Sequence, residues 1–534
     1  MKAEGGRRNK ISAAPRSSIL RLFVLPFALG ALSVAGFAPL RLFPLPLLAL
    51  AALVLLWERA PGARAAGLAG LAFGLGLFLA GVSWVYVSLH DYGSMPASLA
   101  AAATLLFCLY LALFPAAVGW LSRALPLRCA ARCALLVPAL WTLAEWTRGW
   151  LFTGFPWLAL GYSQIPESPL AGYAPVAGIH GVTLAAAATA GLLAVLWRRA
   201  TGEGEGAGAG DAGGGGARGT ALRLAPPALC LLALWLGGLW LAQVEWTRPA
   251  GAPFAASLVQ GNVAQEMKWR EERVQQTLEA YRTLVQSSSG RLIVLPETAL
   301  PLFLDQVPRD YLAALAARAR ANGGDILIGV PERLPGGDYY NSMISLGTAP
   351  SQSYRKSHLV PFGEFIPLRP LLAGIVSVLA IPLQDFARGG AEQRPLAVAG
   401  ERVAVNICYE DAFGEEIIRQ LPEATLLVNA SNVAWFGRSI APAQHLQISQ
   451  ARALETGRYL LRATNTGVTA VIDPRGVVVA RAPEFTAAIV THPVRGYRGA
   501  TPYVRWGNAA ALALCALLLG IAAGLRAAER PGSL

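Results

Sequence analysis

Seven long apolar stretches follow one another before residue 250, and an eighth stands alone near the C-terminus. They cover residues 19–36, 43–57, 65–89, 97–121, 133–150, 178–197, 224–243 and 508–525. A helix of about 20 apolar residues crosses the roughly 30 Å hydrocarbon layer of a bilayer. The pattern therefore predicts a polytopic α-helical membrane domain with about eight transmembrane helices. The second stretch is the shortest and begins with Pro44 and Pro46. Composition agrees: 54% of the 534 residues are hydrophobic and 14% are charged, against about 25% charged in a soluble domain. Such a deficit excludes intrinsic disorder and argues against an ordinary cytosolic protein.

The net charge is +13, and its placement says more than its size. Residues 251–500 hold 24 Lys/Arg against 22 Asp/Glu, so the remaining 21 basic and 10 acidic residues lie in the apolar portions and tails. A nucleic-acid binder would gather its charge on a folded face, so no nucleic-acid partner is expected. Charge placed between apolar stretches is instead the mark of membrane topology. Lys2, Arg7, Arg8, Lys10 and Arg16 precede the first stretch; Arg59 and Arg64 follow the second; Arg123, Arg128 and Arg132 follow the fourth. Arg198, Arg199, Arg218 and Arg223 lie between the sixth and seventh, and Arg526 and Arg530 follow the eighth. If all eight cross, these positions share one side. The expected order is a cytoplasmic basic segment 1–18, seven helices over 19–244, a non-cytoplasmic domain 245–505, an eighth helix over 506–525 and a cytoplasmic tail 526–534. In a bacterial inner membrane the domain would face the periplasm. The Gly-rich segment 201–219 lacks the preceding strand and the Lys-Ser/Thr ending of a phosphate-binding loop, so it reads as a flexible linker.

Glu145 and Arg148 stand three apart near the end of the fifth stretch. Charges at membrane depth are costly, so they are either a functional pair or a pair snorkelling at the interface. The aromatic run from Trp150 to Trp157 suits an interfacial belt.

Residues 245–505 read as mixed α/β. Apolar runs at 255–260, 292–295, 326–330, 342–346, 403–407, 425–429, 460–463 and 468–472 predict strands buried in a layered fold. Helices are predicted over 266–287, 307–322 and 442–456, the last opening near Pro442 and closing at Gly457. Asp473-Pro-Arg-Gly476 predicts a turn between two strands. Three strands run straight into polar residues: one into Glu297, one into Cys408, Tyr409, Glu410 and Asp411, one into Asn429 and Asn432. Strand ends are where an α/β sheet gathers side chains on a ligand. Between the first two lies Tyr354 to Glu364, which offers Lys356 and a further carboxylate.

Cys408 is the one cysteine of residues 245–505, so it has no partner there for a disulfide. It is either a buried small hydrophobe or a nucleophile. Its neighbours favour the nucleophile. Glu297 can take the thiol proton, and the Lys356 ammonium can stabilise first a thiolate and then a tetrahedral oxyanion. The product would be an acyl thioester open to a second substrate. His358 and His445 read as hydrogen-bonded structural histidines. No Cys/His cluster has zinc spacing, and no serine sits in a nucleophile elbow.

These residues resemble the nitrilase, or carbon–nitrogen hydrolase, superfamily. The fuller resemblance, over nearly the whole chain, is to the bacterial apolipoprotein N-acyltransferases. It is carried by Leu140 to Trp146, Gly154 to Leu158, Val259 to Asn262 with Trp269, Pro296 to Ala299, Lys356 to Glu364 and Cys408 to Glu410. The resemblance implies a nitrilase-like αββα sandwich beside the membrane helices. It also implies a Glu297–Lys356–Cys408 triad supported by Trp269, Glu364, Tyr409 and Glu410. It implies acyl transfer from a membrane phospholipid to the N-terminal α-amine of a diacylglyceryl-modified apolipoprotein, with no metal or organic cofactor. The sequence departs at Val433, where the family commonly has Asp.

A 13-residue uncharged run over 371–383 is too short to span a bilayer; it is either an ordinary buried helix or, as expected here, an arm resting on or dipping into the outer leaflet beside the site, with Trp435 and Phe436 as a second interfacial contact. A membrane-anchored amidase or nitrilase, and a non-enzymatic transporter or scaffold, are the alternatives. The first would need only one anchoring helix.

Overall fold

A computed structural model describes residues 20–203, 217–265, 271–366 and 386–528 of the chain. Trp269 and the run at 371–383 lie outside the described residues, as do the first 18 residues and most of the Gly-rich segment.

Among the described residues, five helices are long and apolar enough to cross a membrane: Ala63–Val82, Ala97–Ala124, Pro169–Ala200, Ala221–Leu241 and Ala509–Ala528. The first two predicted stretches form the shorter helices Leu22–Gly36 and Pro44–Glu58. The fifth forms a π-helical turn, Arg132–Leu136, and a helix, Val137–Arg148, that stops at Gly149. Small residues let these helices close on one another. A Cβ on Gly76 would collide with the backbone of Phe27, and one on Gly30 with the backbone of Phe73.

The charged pair of the fifth stretch does not snorkel. Glu145 and Arg148 are both buried. Glu145 accepts from the Trp141 indole at 2.9 Å, the Leu160 N–H at 2.9 Å and the Thr183 hydroxyl at 2.9 Å. Arg148 donates to the carbonyls of Phe155 and Trp157, each at 2.6 Å. The aromatic run is thus folded onto the bundle by these two side chains.

Among the described residues, twelve strands build the other half. They are β1 (Thr247–Gln260), β2 (Leu292–Val294), β3 (Asp325–Arg333), β4 (Tyr339–Gly347), β5 (Ser353–Arg355), β6 (Leu396–Val398), β7 (Glu401–Ile407), β8 (Leu426–Ser431), β9 (Leu460–Thr464), β10 (Ala470–Ile472), β11 (Val478–Arg481) and β12 (Ala488–Gly499). They form two six-stranded sheets, ordered β12-β1-β2-β3-β4-β5 and β11-β10-β9-β8-β7-β6. The central pairs β1/β2, β2/β3, β7/β8 and β8/β9 are parallel and the rest antiparallel.

The continuous apolarity of the central strands follows from burial on both faces. Leu292 and Val294 of β2 join Val405 of β7, Val428 of β8 and Leu461 of β9 in the core between the sheets. Ile293 and Leu295 point the other way, against the helices Glu271–Ser287 and Arg309–Ala321. On the far side, Ala404, Leu427 and Leu460 pack on Leu446 and Ala453 of the helix Ala441–Thr456. Its C-terminus is closed by Gly457 at φ +61°, in the left-handed region. Asp473 makes the predicted β10–β11 turn, its carboxylate accepting from the N–H groups of Arg475 and Val477 at 2.9 Å each.

The Ala441–Thr456 helix is also where the two halves meet. Its Gln444 accepts from the indoles of Trp84 at 3.1 Å and Trp157 at 2.8 Å, and its Gln447 side chain accepts from the Ala38 N–H at 2.9 Å. The membrane helix Ala174–Ala200 is broken at Ala177 and Gly178, where Gly178 takes φ +65° beneath the Tyr503 ring. The break frees the Ile179 N–H, which Glu455 captures at 2.7 Å.

Candidate active site

Each sheet sends polar side chains to the same place. Beyond β2 the chain passes Leu295 and Pro296 and delivers Glu297; beyond β5 comes Lys356; beyond β7 comes Cys408; and beyond β8 comes Asn432. Cys408 sits at φ +54°, a left-handed conformation costly for a side chain with a Cβ, on the turn between β7 and the short helical segment Cys408–Ala412.

Lys356 is buried between two carboxylates. Its Nζ lies 3.1 Å from Glu297 Oε1 and 2.9 Å from Glu364 Oε1. Asn341 bridges the same two oxygens, its Nδ2 donating to Glu297 at 2.8 Å and to Glu364 at 2.9 Å. The other oxygens accept backbone N–H groups, Glu297 from Asn432 and Glu364 from Val360, both at 2.8 Å. Burial alone would lower the Lys356 ammonium, but Glu297 and Glu364 outweigh it and hold it above its ordinary value. Burial pushes the Cys408 thiol well above its ordinary value and Glu297 adds to this, while Lys356 and the Asn432 N–H oppose. The resting sulfur is therefore a thiol, and it carries its proton until a base removes it.

Glu410 ties the nucleophile's turn to the lysine's segment. It accepts from the Ile407 N–H on one side; on the other it accepts from the N–H groups of Ser357 (2.7 Å) and His358 (3.0 Å) and the hydroxyls of Ser357 (3.0 Å) and Tyr354 (3.0 Å). Burial raises its carboxyl above the usual range against those donors.

A carbon-nitrogen hydrolase family model matches residues 255–503, and an apolipoprotein N-acyltransferase N-terminal domain model matches residues 29–192. An apolipoprotein N-acyltransferase of Nitrosomonas europaea is 53% identical over 93% of this chain and 96% of its own. One of Chromobacterium violaceum is 46% identical over 97% and 98%, and one of Methylococcus capsulatus is 46% identical over 93% of each. The chain belongs to the apolipoprotein N-acyltransferase family. It is a membrane protein and an acyltransferase that carries a carbon–nitrogen hydrolase fold.

In this N-acyltransferase the remaining predicted residues divide. Tyr409 faces the bundle: its hydroxyl donates to the Gly154 carbonyl at 2.8 Å and its ring stacks on Trp157. Trp435 and Phe436 are half-buried, and their rings meet Tyr92 and Trp84, with centroids 6.3 and 4.6 Å apart. Trp84 and Tyr92 lie between the helices Ala63–Val82 and Ala97–Ala124, so both rings meet the segment that joins those helices. Val433 is buried against Gly467 in an apolar niche. Asn341 was not foreseen; it stands one residue before the predicted run 342–346.

His358 stacks on Phe413 and lies 3.0 Å from Glu416. Away from the site, Glu58, Cys129 and Cys133 bring ligand atoms within 4.8 Å of one another. Both Glu58 oxygens are taken by Arg132 at 2.9 Å, and Arg198 stands 3.2 Å away, so arginines already neutralise that carboxylate.

Proposed function

We propose that this N-acyltransferase moves a fatty acyl chain from a membrane phospholipid to the N-terminal α-amino group of a diacylglyceryl-cysteine apolipoprotein. This is the last step of bacterial lipoprotein maturation. Glu297 is the general base, Lys356 the oxyanion stabiliser and Cys408 the nucleophile. The observation that carries this assignment is the Lys356 ammonium pinned by Glu297 and Glu364, on a segment that Glu410 ties to the turn bearing Cys408.

Glu297 removes the thiol proton as sulfur attacks the ester carbonyl, because the raised thiol is not ionised beforehand. Lys356, held protonated, stabilises the oxyanion. Collapse expels the lysophospholipid alkoxide, which takes the proton from Glu297 and leaves a thioester on Cys408. The α-amine of the acceptor then attacks, Glu297 takes its proton, and the thiolate departs and is reprotonated. The proposed scheme needs no metal or cofactor. Trp269, Glu364, Tyr409, Glu410, Trp435 and Phe436 support the site or its substrates.

In this reading eight helices cross the bacterial inner membrane, seven within 19–244 and one over 506–525. Both termini are cytoplasmic and the catalytic domain 245–505 is periplasmic. The alternation of basic and apolar segments supports that orientation. The packing of Trp435 and Phe436 on Tyr92 and Trp84 supports a site beside the bilayer.

The test is mass spectrometry of the purified chain after incubation with phospholipid and no acceptor. A fatty acyl mass on Cys408, discharged when an amine-terminal lipopeptide is added, is expected. No adduct, an adduct elsewhere, or steady release of free fatty acid would overturn the proposal.

A further inference from the structure

The turn that presents Cys408 is held from behind by a group of buried polar side chains that the proposed chemistry does not use. The carbonyl oxygen of Cys408 lies 3.1 Å from Asn429 Nδ2 and 3.2 Å from His445 Nε2. These two groups come from different elements, Asn429 from β8 and His445 from the Ala441–Thr456 helix. We propose that His445 is a positioning residue for the nucleophile, which together with Asn429 pins the Cys408 carbonyl and so fixes the turn that offers the thiol to the lipid.

Both donors are themselves locked. Asn429 Oδ1 accepts from Arg462 and from the Ser431 hydroxyl, and Asn429 Nδ2 also reaches Asn406. His445 Nε2 lies 2.7 Å from Asp411 Oδ1, while Asp411 Oδ2 accepts from Ser449 and Arg462. All five of Asn429, His445, Asp411, Ser449 and Arg462 are buried. His445 Nδ1 is buried with no hydrogen-bond partner. A proton there would have no acceptor, so the ring carries its one proton on Nε2, between Asp411 and the Cys408 carbonyl. Burial, with Arg462, lowers the imidazole from its ordinary range, against the pull of Asp411.

Cys408 at φ +54° is strained, and strained backbone persists where its surroundings over-determine it. Because the peptide is planar, fixing the Cys408 oxygen also fixes the Tyr409 N–H on the opposite side. The His445 ring lies 5.2 Å from that of Trp157, so the same side chain sets the turn against the membrane bundle.

The inference rests on Cys408 being the nucleophile. It is tested on the full-length chain in detergent by single-turnover formation of the acyl adduct over a range of phospholipid concentrations. His445→Phe keeps a ring and removes the donor, His445→Gln returns an N–H, and Asn429→Asp removes the second donor by a one-atom change. His445→Phe and Asn429→Asp are expected to slow the maximal acylation rate about tenfold, with the half-saturating phospholipid concentration changed less than about twofold. His445→Gln should recover to within about threefold of wild type. A purely structural role would instead move half-saturation or melting temperature without rescue. Wild-type rates in both donor-less variants, or a loss confined to half-saturation, would overturn the proposal. If His445→Phe does not fold, Asn429→Asp decides alone. Should the wild-type chain gain no acyl mass on Cys408, the proposed function falls and this inference with it. An adduct that forms equally fast in the variants removes only the positioning role.

Discussion

In the role proposed for it, Lys356 is one buried cation that serves both folding and chemistry. Lys356→Met would leave Glu297 and Glu364 facing each other through Asn341 with no cation between them. Breaking a buried pair in this way costs about 3–5 kcal/mol. We expect loss of the acyl adduct together with a lower melting temperature, read by mass spectrometry and thermal denaturation. Glu410 should behave differently. Glu410→Gln turns one of the two acceptor oxygens into a donor, which then faces either the Ile407 N–H or the N–H groups of Ser357 and His358. A cost of about 2–4 kcal/mol in stability is expected, with slower acylation because the cysteine turn and the lysine segment lose their tie. Such sites are legible in a sequence where a polar residue ends an apolar strand, as Glu297 and Cys408 do. Asn341 escaped because Tyr-Tyr-Asn-Ser-Met is an ordinary strand opening. The role proposed for His445 escaped because the network around the Cys408 carbonyl draws on β7, β8, β9 and the segment after β7, which only folding brings together.

Among elements, the buried central strands were legible and the edges were not. The predicted runs at 255–260, 326–330, 403–407 and 460–463 fall within β1, β3, β7 and β9. Strands β5, β6 and β12 were missed, and β11 was foreseen only as the strand beyond the Asp473–Gly476 turn, without bounds. They are short or carry exposed polar residues, and β12 also contains Pro493. β1 begins at Thr247 because its first residues pair with the end of β12, a long-range partnership invisible locally. In the bundle, Gly76→Leu should destabilise by about 1–3 kcal/mol or more, because the backbone of Phe27 occupies the space a side chain needs. At the broken membrane helix, burial pushes the Glu455 carboxyl up from 4.5 to about 7, with Arg452 opposing. A raised carboxyl stabilises the fold fully below its unfolded value, and that contribution is lost as pH rises through about 7. Glu455→Gln, which keeps an acceptor for the Ile179 N–H, should flatten the fall in melting temperature between pH 4.5 and 7.

At the scale of the whole molecule, apolar stretches announced a membrane protein, yet length alone did not reveal how each helix would be used. The fifth stretch became the Val137–Arg148 helix, whose charged residues organise a loop under the catalytic half. The helix Ala441–Thr456 is covered on one face by the sheet of β6–β11, and on the other its Ala441, Ile448 and Ala451 belong to the core of the membrane bundle. A fragment comprising residues 245–505 is therefore expected to aggregate or to require detergent, which size-exclusion chromatography without detergent would check. Elution as a stable monomer would contradict this. Enzyme and anchor here are not separable cassettes. Grafting a free-standing amidase body onto this bundle would leave an unmatched seam, so any redesign of one half has to carry the mating face of the other with it.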